Sequence, residues 1–143
     1  MSSTLRERIP STLRERFAPV LPSIVVVAGV FMPWVQVDPN HEGPVITIYY
    51  PGMGSGLELP HGIALLVAAI LLSVLSLVGH RLRRGELVVG LGGALAVGWF
   101  IQSWQGAFIP APGAWVTLVG CLFLAAVGAG GHVVARRRTK TAV

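Results

Sequence analysis

Residues 62–79 read GIALLVAAILLSVLSLVG and run directly into His80-Arg81-Leu82-Arg83-Arg84. These 18 residues contain no charge and no proline. A bilayer core of about 30 Å is crossed by about 20 apolar residues rising about 1.5 Å each, and arginines immediately after such a run mark its cytoplasmic end. The stretch is therefore expected to be a transmembrane helix that ends in the cytoplasm. Composition agrees: the chain of 143 residues is 53% hydrophobic and 12% charged, with mean hydropathy +0.71, whereas a soluble domain carries about 25% charged residues.

Working outward from this helix, three further spans are expected. The N-terminal tail, 1–16, is basic and tandemly repeated, with STLRERIP at 3–10 followed by STLRERFA at 11–18. The first span covers 18–37, with Pro19 and Pro22 in its opening turns and Pro33 placed to kink its outer end. No small-x-small cleavage site follows it, so it is expected to stay as an anchor. Residues 38–60 form the long outer loop. Val45–Tyr50 there reads as a β-strand, and Gly54-Ser55-Gly56 as a turn into an extended Leu57–Leu59.

The short link after residue 79 forces an antiparallel hairpin into a third span at 87–104. A turn over 105–112 then leads to a fourth span at 113–135, and 136–143 is a second basic tail. The expected fold is an all-α membrane protein, a four-helix antiparallel bundle over 17–135 with a short strand or hairpin in its first outer loop. Small residues at Gly90, Ala94 and Gly98, and at Cys121, Ala125 and Ala129, recur every four residues and are expected to let the third and fourth helices pack closely.

Orientation follows from charge. All 11 Lys and Arg fall in the two tails and the 80–86 link, four, four and three respectively, and none on the other side. Both termini are thus expected in the cytoplasm of a multi-pass plasma-membrane protein. Trp34, Trp99, Trp104 and Trp115 all fall toward the outer ends of spans, where indole rings favour the interface. The two halves also echo one another: Pro60-His61-Gly62 leads through an apolar run to Gly79-His80, and Pro112-Gly113 leads likewise to Gly131-His132. Duplication of a two-helix hairpin would produce this pattern.

Pro33-Trp34, Ser55-Gly56, Gly62 and Gly113-Ala114-Trp115 together form a pattern that resembles a group of small four-helix membrane proteins of bacteria and archaea with no assigned function. The plan is more loosely similar to claudin-like tetraspans, although the paired loop cysteines of claudins are absent. The resemblance implies the four-span fold and no activity.

Candidate chemistry is sparse. Asp38, His41, Glu42, Glu58 and His61 offer metal-ligand types near the outer mouth, with His41, Glu42 and His61 the foremost candidates. Their spacing matches no ligand motif, so solvated polarity is the preferred reading and no metal or cofactor is expected. His80 and His132 end cytoplasmic helices, where a cation meets the negative end of the dipole. The spans carry no ionisable group at mid-depth, and Gln36, Gln102, Ser73, Ser76, Ser103 and Thr117 are available for bonds between helices. Cys121 reads as a small packing residue. A pI near 10.7 does not imply nucleic acid, because the basic residues flank apolar runs instead of sharing a face with stacking aromatics.

No nucleophile, base and orienter stand at a convincing spacing, so an enzyme is not expected. The expected role is a structural or interaction protein in the lipid bilayer, acting through its outer loop, with a membrane protein or a second copy of itself as partner. The alternative is a small oligomeric transporter or channel.

Overall fold

The structure is a computed structural model that describes residues 16–43, 49–80, 82–104 and 107–140, with side chains to Gly130. Residues 1–15, which hold most of the N-terminal repeat, lie outside the described residues, as do 45–48 of the expected strand Val45–Tyr50. Among the described residues the fold is mostly helical, with four helices and a two-stranded sheet. The helices are α1 (Val20–Phe31), α2 (Pro60–Leu77), α3 (Arg83–Gln102) and α4 (Pro112–Lys140), and the strands are β1 (Val35–Val37) and β2 (Phe108–Pro110). Three of the helices, Pro60–Leu77, Arg83–Gln102 and the Pro112–Gly130 part of α4, are long and apolar enough to cross a membrane.

The first helix is shorter than the 18–37 span expected from the sequence. It has 12 residues and stops at Phe31, two residues before Pro33. Proline disfavours the helical conformation in the residue before it, and Met32 is accordingly extended at φ −86°, ψ 158°. Pro33 therefore ends the helix instead of kinking it, and the chain continues as β1.

At the other end of the molecule, α2 closes with a Schellman motif. Gly79, at φ +98°, lets its own N–H reach the Ser76 carbonyl and the His80 N–H reach that of Leu75. The turn is so tight that α3 starts at Arg83, not at 87, which brings Glu86 into its first turn with 1% exposure. A carboxylate suits that end of the helix dipole. α4 runs on through Arg136–Arg138, so those arginines lie on the helix and not beyond it.

Successive helices run antiparallel. α4 packs extensively against α3 on one side and α1 on the other, whereas α2 and α3 meet only lightly. A Cβ placed on Gly90 would meet the Cys121 carbonyl at 2.7 Å and the Ala125 backbone, and one on Gly128 would meet the Leu87 nitrogen at 2.7 Å. Ala94 packs against the core beside them. Gly98 and Ala129 do not take part, contrary to the four-residue spacing: nothing lies within 4 Å of a Cβ on Gly98, and Ala129 is exposed. A helix advances about 100° per residue, so eight residues overshoot the stripe by about 80°. Gly93, facing the Cys121 sulfur, Val97 and Gly128 are buried in their place. Cys121 itself is fully buried.

The α1–α4 seam is also built from glycine. Cβ atoms on Gly29, Gly113 and Gly120 would collide with Thr117, with the Pro33 and Met32 carbonyls, and with Val26 respectively.

Most hydroxyls expected to bridge helices instead bond within their own helix. Ser73, Ser103 and Thr117 donate to the carbonyls of Ala69, Trp99 and Gly113, four residues back. Ser76 alone reaches elsewhere, to the Arg16 carbonyl at 2.9 Å.

Candidate functional site

The end of the molecule that holds β1, β2 and residues 49–59 forms a cap over the helix tops. Its sheet was not expected from sequence. β1 pairs antiparallel with β2 in the register Val35↔Pro110, Gln36↔Ile109, Val37↔Phe108, so the connections after α1 and after α3 are joined. Residues 49–50 are not in a strand, and Gly56–Glu58 is a single 3-10 turn, not an extended piece, started by the Leu57 N–H donating to Ser55 Oγ.

Trp34 anchors this cap. It is fully buried, so it is not one of the interfacial tryptophans, and its indole N–H donates to the Gly29 carbonyl at 3.0 Å. The backbone around it is extensively hydrogen-bonded. The Trp34 and Val35 N–H groups donate to the Gly52 carbonyl, the Ala111 N–H donates to Trp34, and the Gly56 and Gly113 N–H groups donate to Met32 and Pro33. So large a ring beside so much backbone requires glycine neighbours. A Cβ on Gly56 would lie 2.5 Å from the Trp34 indole nitrogen, one on Gly62 would overlap the Gly56 carbonyl, and Gly52 adopts φ +99° against Val35. Pro33-Trp34, Ser55-Gly56, Gly62 and Gly113, scattered through the sequence, thus meet at one point.

Aromatic rings extend outward from this anchor. Trp34 touches His61 and Phe100 at centroid distances of 5.3 and 5.4 Å, and Phe100 meets Trp104 nearly edge-on at 5.5 Å. Tyr50 packs on Trp104 at 5.1 Å and 82°, and on Phe108 at 5.8 Å. Of the adjacent tyrosines, Tyr50 therefore packs on the helix tops, beside Trp104 instead of Trp34, while Tyr49 faces outward. Between the start of α2 and the end of α3 these rings leave a pocket of about 540 Å³, lined by Tyr50, His61 and Trp104 with Ala96, Trp99, Phe100 and Ser103 of α3. Two nitrogens of this wall, Nε2 of His61 and Nε1 of Trp104, are shielded from solvent and have no hydrogen-bond partner among the described residues.

A polar latch holds the loop on the outside. The Glu58 carboxylate accepts from the Tyr49 hydroxyl and, at 2.6 Å, from the Gly52 N–H. Those donors hold the Glu58 carboxyl below its ordinary value of 4.5, the tyrosine having the larger effect. Chiefly through the same bond, the Tyr49 phenol is held above 10.0.

The metal candidates do not converge. His41 and Glu42 are exposed on the loop, and His61 stands among the rings. Among the described residues no group of three or more His, Cys, Asp or Glu is placed to hold a metal ion. Asp38 supports a local turn, accepting from the Asn40 N–H at 2.9 Å. Trp99 and Trp115 are exposed, at 78% and 51%, and Trp104 is half-buried in the pocket wall. The pocket was missed in the sequence because its rings come from the loop, α2 and α3, without a shared spacing. The only signal was the crowding of Tyr50, His61, Trp99, Phe100 and Trp104 at one end of the predicted spans. Comparison with known proteins places the chain in no family: no family model, no curated protein and no solved structure matches it.

Proposed function

We propose that the chain is an integral plasma-membrane protein that crosses the bilayer four times with both termini in the cytoplasm, and that it serves as a structural or interaction protein whose outer cap is its recognition surface. Its kinship with the small four-helix membrane proteins that share the Pro-Trp, Ser-Gly and Gly-x-Trp pattern belongs to the same proposal. α1 supplies only about 18 Å of helix, and residues 33–37 complete that span in extended form. Non-helical backbone is tolerated at membrane depth only where the protein satisfies it, and the carbonyls of Met32, Pro33 and Trp34 all accept bonds from other parts of the chain.

The observation that carries the reading is the construction of the cap. Its segments are fixed to the bundle by the Trp34 anchor, the strand pair and the Glu58 latch, while His41, Glu42 and Tyr49 remain exposed on its surface. Loops held by a rigid scaffold are where recognition residues gather. The partner is another membrane protein.

The test is photo-crosslinking in intact cells from a diazirine side chain at Glu42 and, separately, at Arg84 in the first turn of α3, at the opposite end of the molecule. A discrete crosslinked partner from position 42 and none from position 84 is expected. Crosslinks only between copies of this chain, together with ion conductance of the purified protein in vesicles, would overturn the reading in favour of an oligomeric channel.

A further inference from the structure

We propose that the pocket at the outer end of the α2–α3 seam binds a neutral, membrane-soluble ring compound bearing carbonyl oxygens, the chemistry of a quinone head group. The proposal rests on reading the cap as the recognition end and names a ligand for it. Three observations set the ligand's chemistry. The walls are π-faces, with Phe100, Trp104 and Tyr50 meeting at steep angles of 74° and 82°, so a flat ring slides against one face while its edge meets another. No lining residue is charged, which leaves an anion without a counter-charge. Finally, Nε1 of Trp104 and Nε2 of His61 lack partners. An indole N–H only donates, so whatever completes the site brings an acceptor, and a carbonyl fits where a quaternary ammonium does not.

Size and access agree. The volume of about 540 Å³ lies within the usual range for small-molecule sites. The pocket shares the exposed face of α3 with Leu95 and Trp99, at 75% and 78% exposure, so a ligand dissolved in lipid reaches it sideways. Both nitrogens are closed off from solvent, and Tyr50, which is 44% exposed and packs on the Trp104 ring, is the wall whose displacement would admit a carbonyl to Trp104 Nε1.

The experiment titrates the purified full-length chain in lipid nanodiscs with 1,4-naphthoquinone, followed by calorimetry. Naphthalene and benzyltrimethylammonium serve as controls of similar ring character. Saturable binding of one naphthoquinone per chain is expected. Naphthalene should bind about tenfold more weakly, as the loss of one hydrogen bond implies, and the ammonium should not bind measurably. Trp104→Phe keeps the ring and removes the N–H, and should weaken naphthoquinone by about the same factor. Ala96→Trp fills the pocket from an exposed position and should abolish binding while leaving the helical circular dichroism unchanged. Naphthalene binding as tightly as naphthoquinone, tighter binding of the ammonium, or full affinity in either variant would overturn the proposal. No partner is present in this titration, so its failure leaves the crosslinking result standing, and a failed crosslink leaves the titration standing.

Discussion

The seam between α1 and α4 and the seam between α3 and α2 occupy corresponding places in two helix–strand–helix halves, α1-β1-α2 and α3-β2-α4, and they are packed very differently. In the first, Gly29, Gly113 and Gly120 bring backbone against backbone along the C-terminal half of α1 and just past it, from Val25 to Pro33. The second is held by Leu65 against Gly93 and Leu72 near Gly85, and toward the cap its helices are spaced by the rings of His61 and Phe100. Side-chain volume explains the difference. Glycine removes the spacer and lets dispersion forces act between main chains, whereas aromatic rings hold helices apart and leave concave space between them. The pocket is thus the consequence of where glycine is absent. Trp34 stands between the two seams, held by the glycines of one and touching the rings of the other.

The largest effect should come from breaking the closed seam. Gly113→Val would place atoms on the Pro33 and Met32 carbonyls, which are 2.5 and 2.7 Å from the Cβ position, so no monodisperse peak is expected in size-exclusion chromatography. A valine variant as well behaved as the parent would break the comparison. Trp34→Ala should cost about 3–5 kcal/mol, as removal of a buried large aromatic does. Trp34→Phe should cost about 1 kcal/mol for the lost bond to Gly29, both read from thermal-aggregation midpoints.

The α3–α4 contact supplies a sharper internal control. Gly90→Ile should destabilise by about 1–3 kcal/mol through overpacking, while Gly98→Ile, with no neighbour within 4 Å, should leave the midpoint unchanged. Equal losses would mean that the helices are rotated from the arrangement described.

The smallest effect belongs to the latch. Because the Glu58 carboxyl is depressed in the folded protein, its contribution is complete above the ordinary value near 4.5 and is lost as pH falls through the lower folded value. Tyr49, raised in the fold, contributes fully below about 10 and loses that contribution as pH rises through its folded value. Glu58→Gln should therefore remove the acid-side dependence of loop protection, read by hydrogen exchange at Gly52, and leave the helices unaffected.

How much of this was legible in the sequence follows from the range of each interaction. Three helices were readable because apolar runs are local signals, whereas the turn after α2 was read as a link over 80–86 and closes sooner, through the positive-φ Gly79, so that α3 starts at Arg83. The sheet was not, because β1 and β2 are three residues each and their partners lie on opposite sides of two helices in the chain. Trp34 was read as interfacial since a tryptophan at the end of an apolar run ordinarily is. Its burial depends on Gly52, Gly56 and Gly113, which no window around Trp34 contains. The stripe was misplaced at Gly98 and Ala129 because a spacing of four departs from the 3.6-residue turn by the second step.

The central claim is that the cap, with its pocket, faces outward while the tight turn and both termini face the cytoplasm. Single cysteines placed at Asn40, exposed on the cap, and at position 139, each in a Cys121→Ser background, test it by labelling of intact cells with a membrane-impermeant maleimide. The account predicts labelling at 40 in intact cells and at 139 only after the membrane is permeabilised. Labelling at 139 in intact cells, with 40 protected, would contradict it.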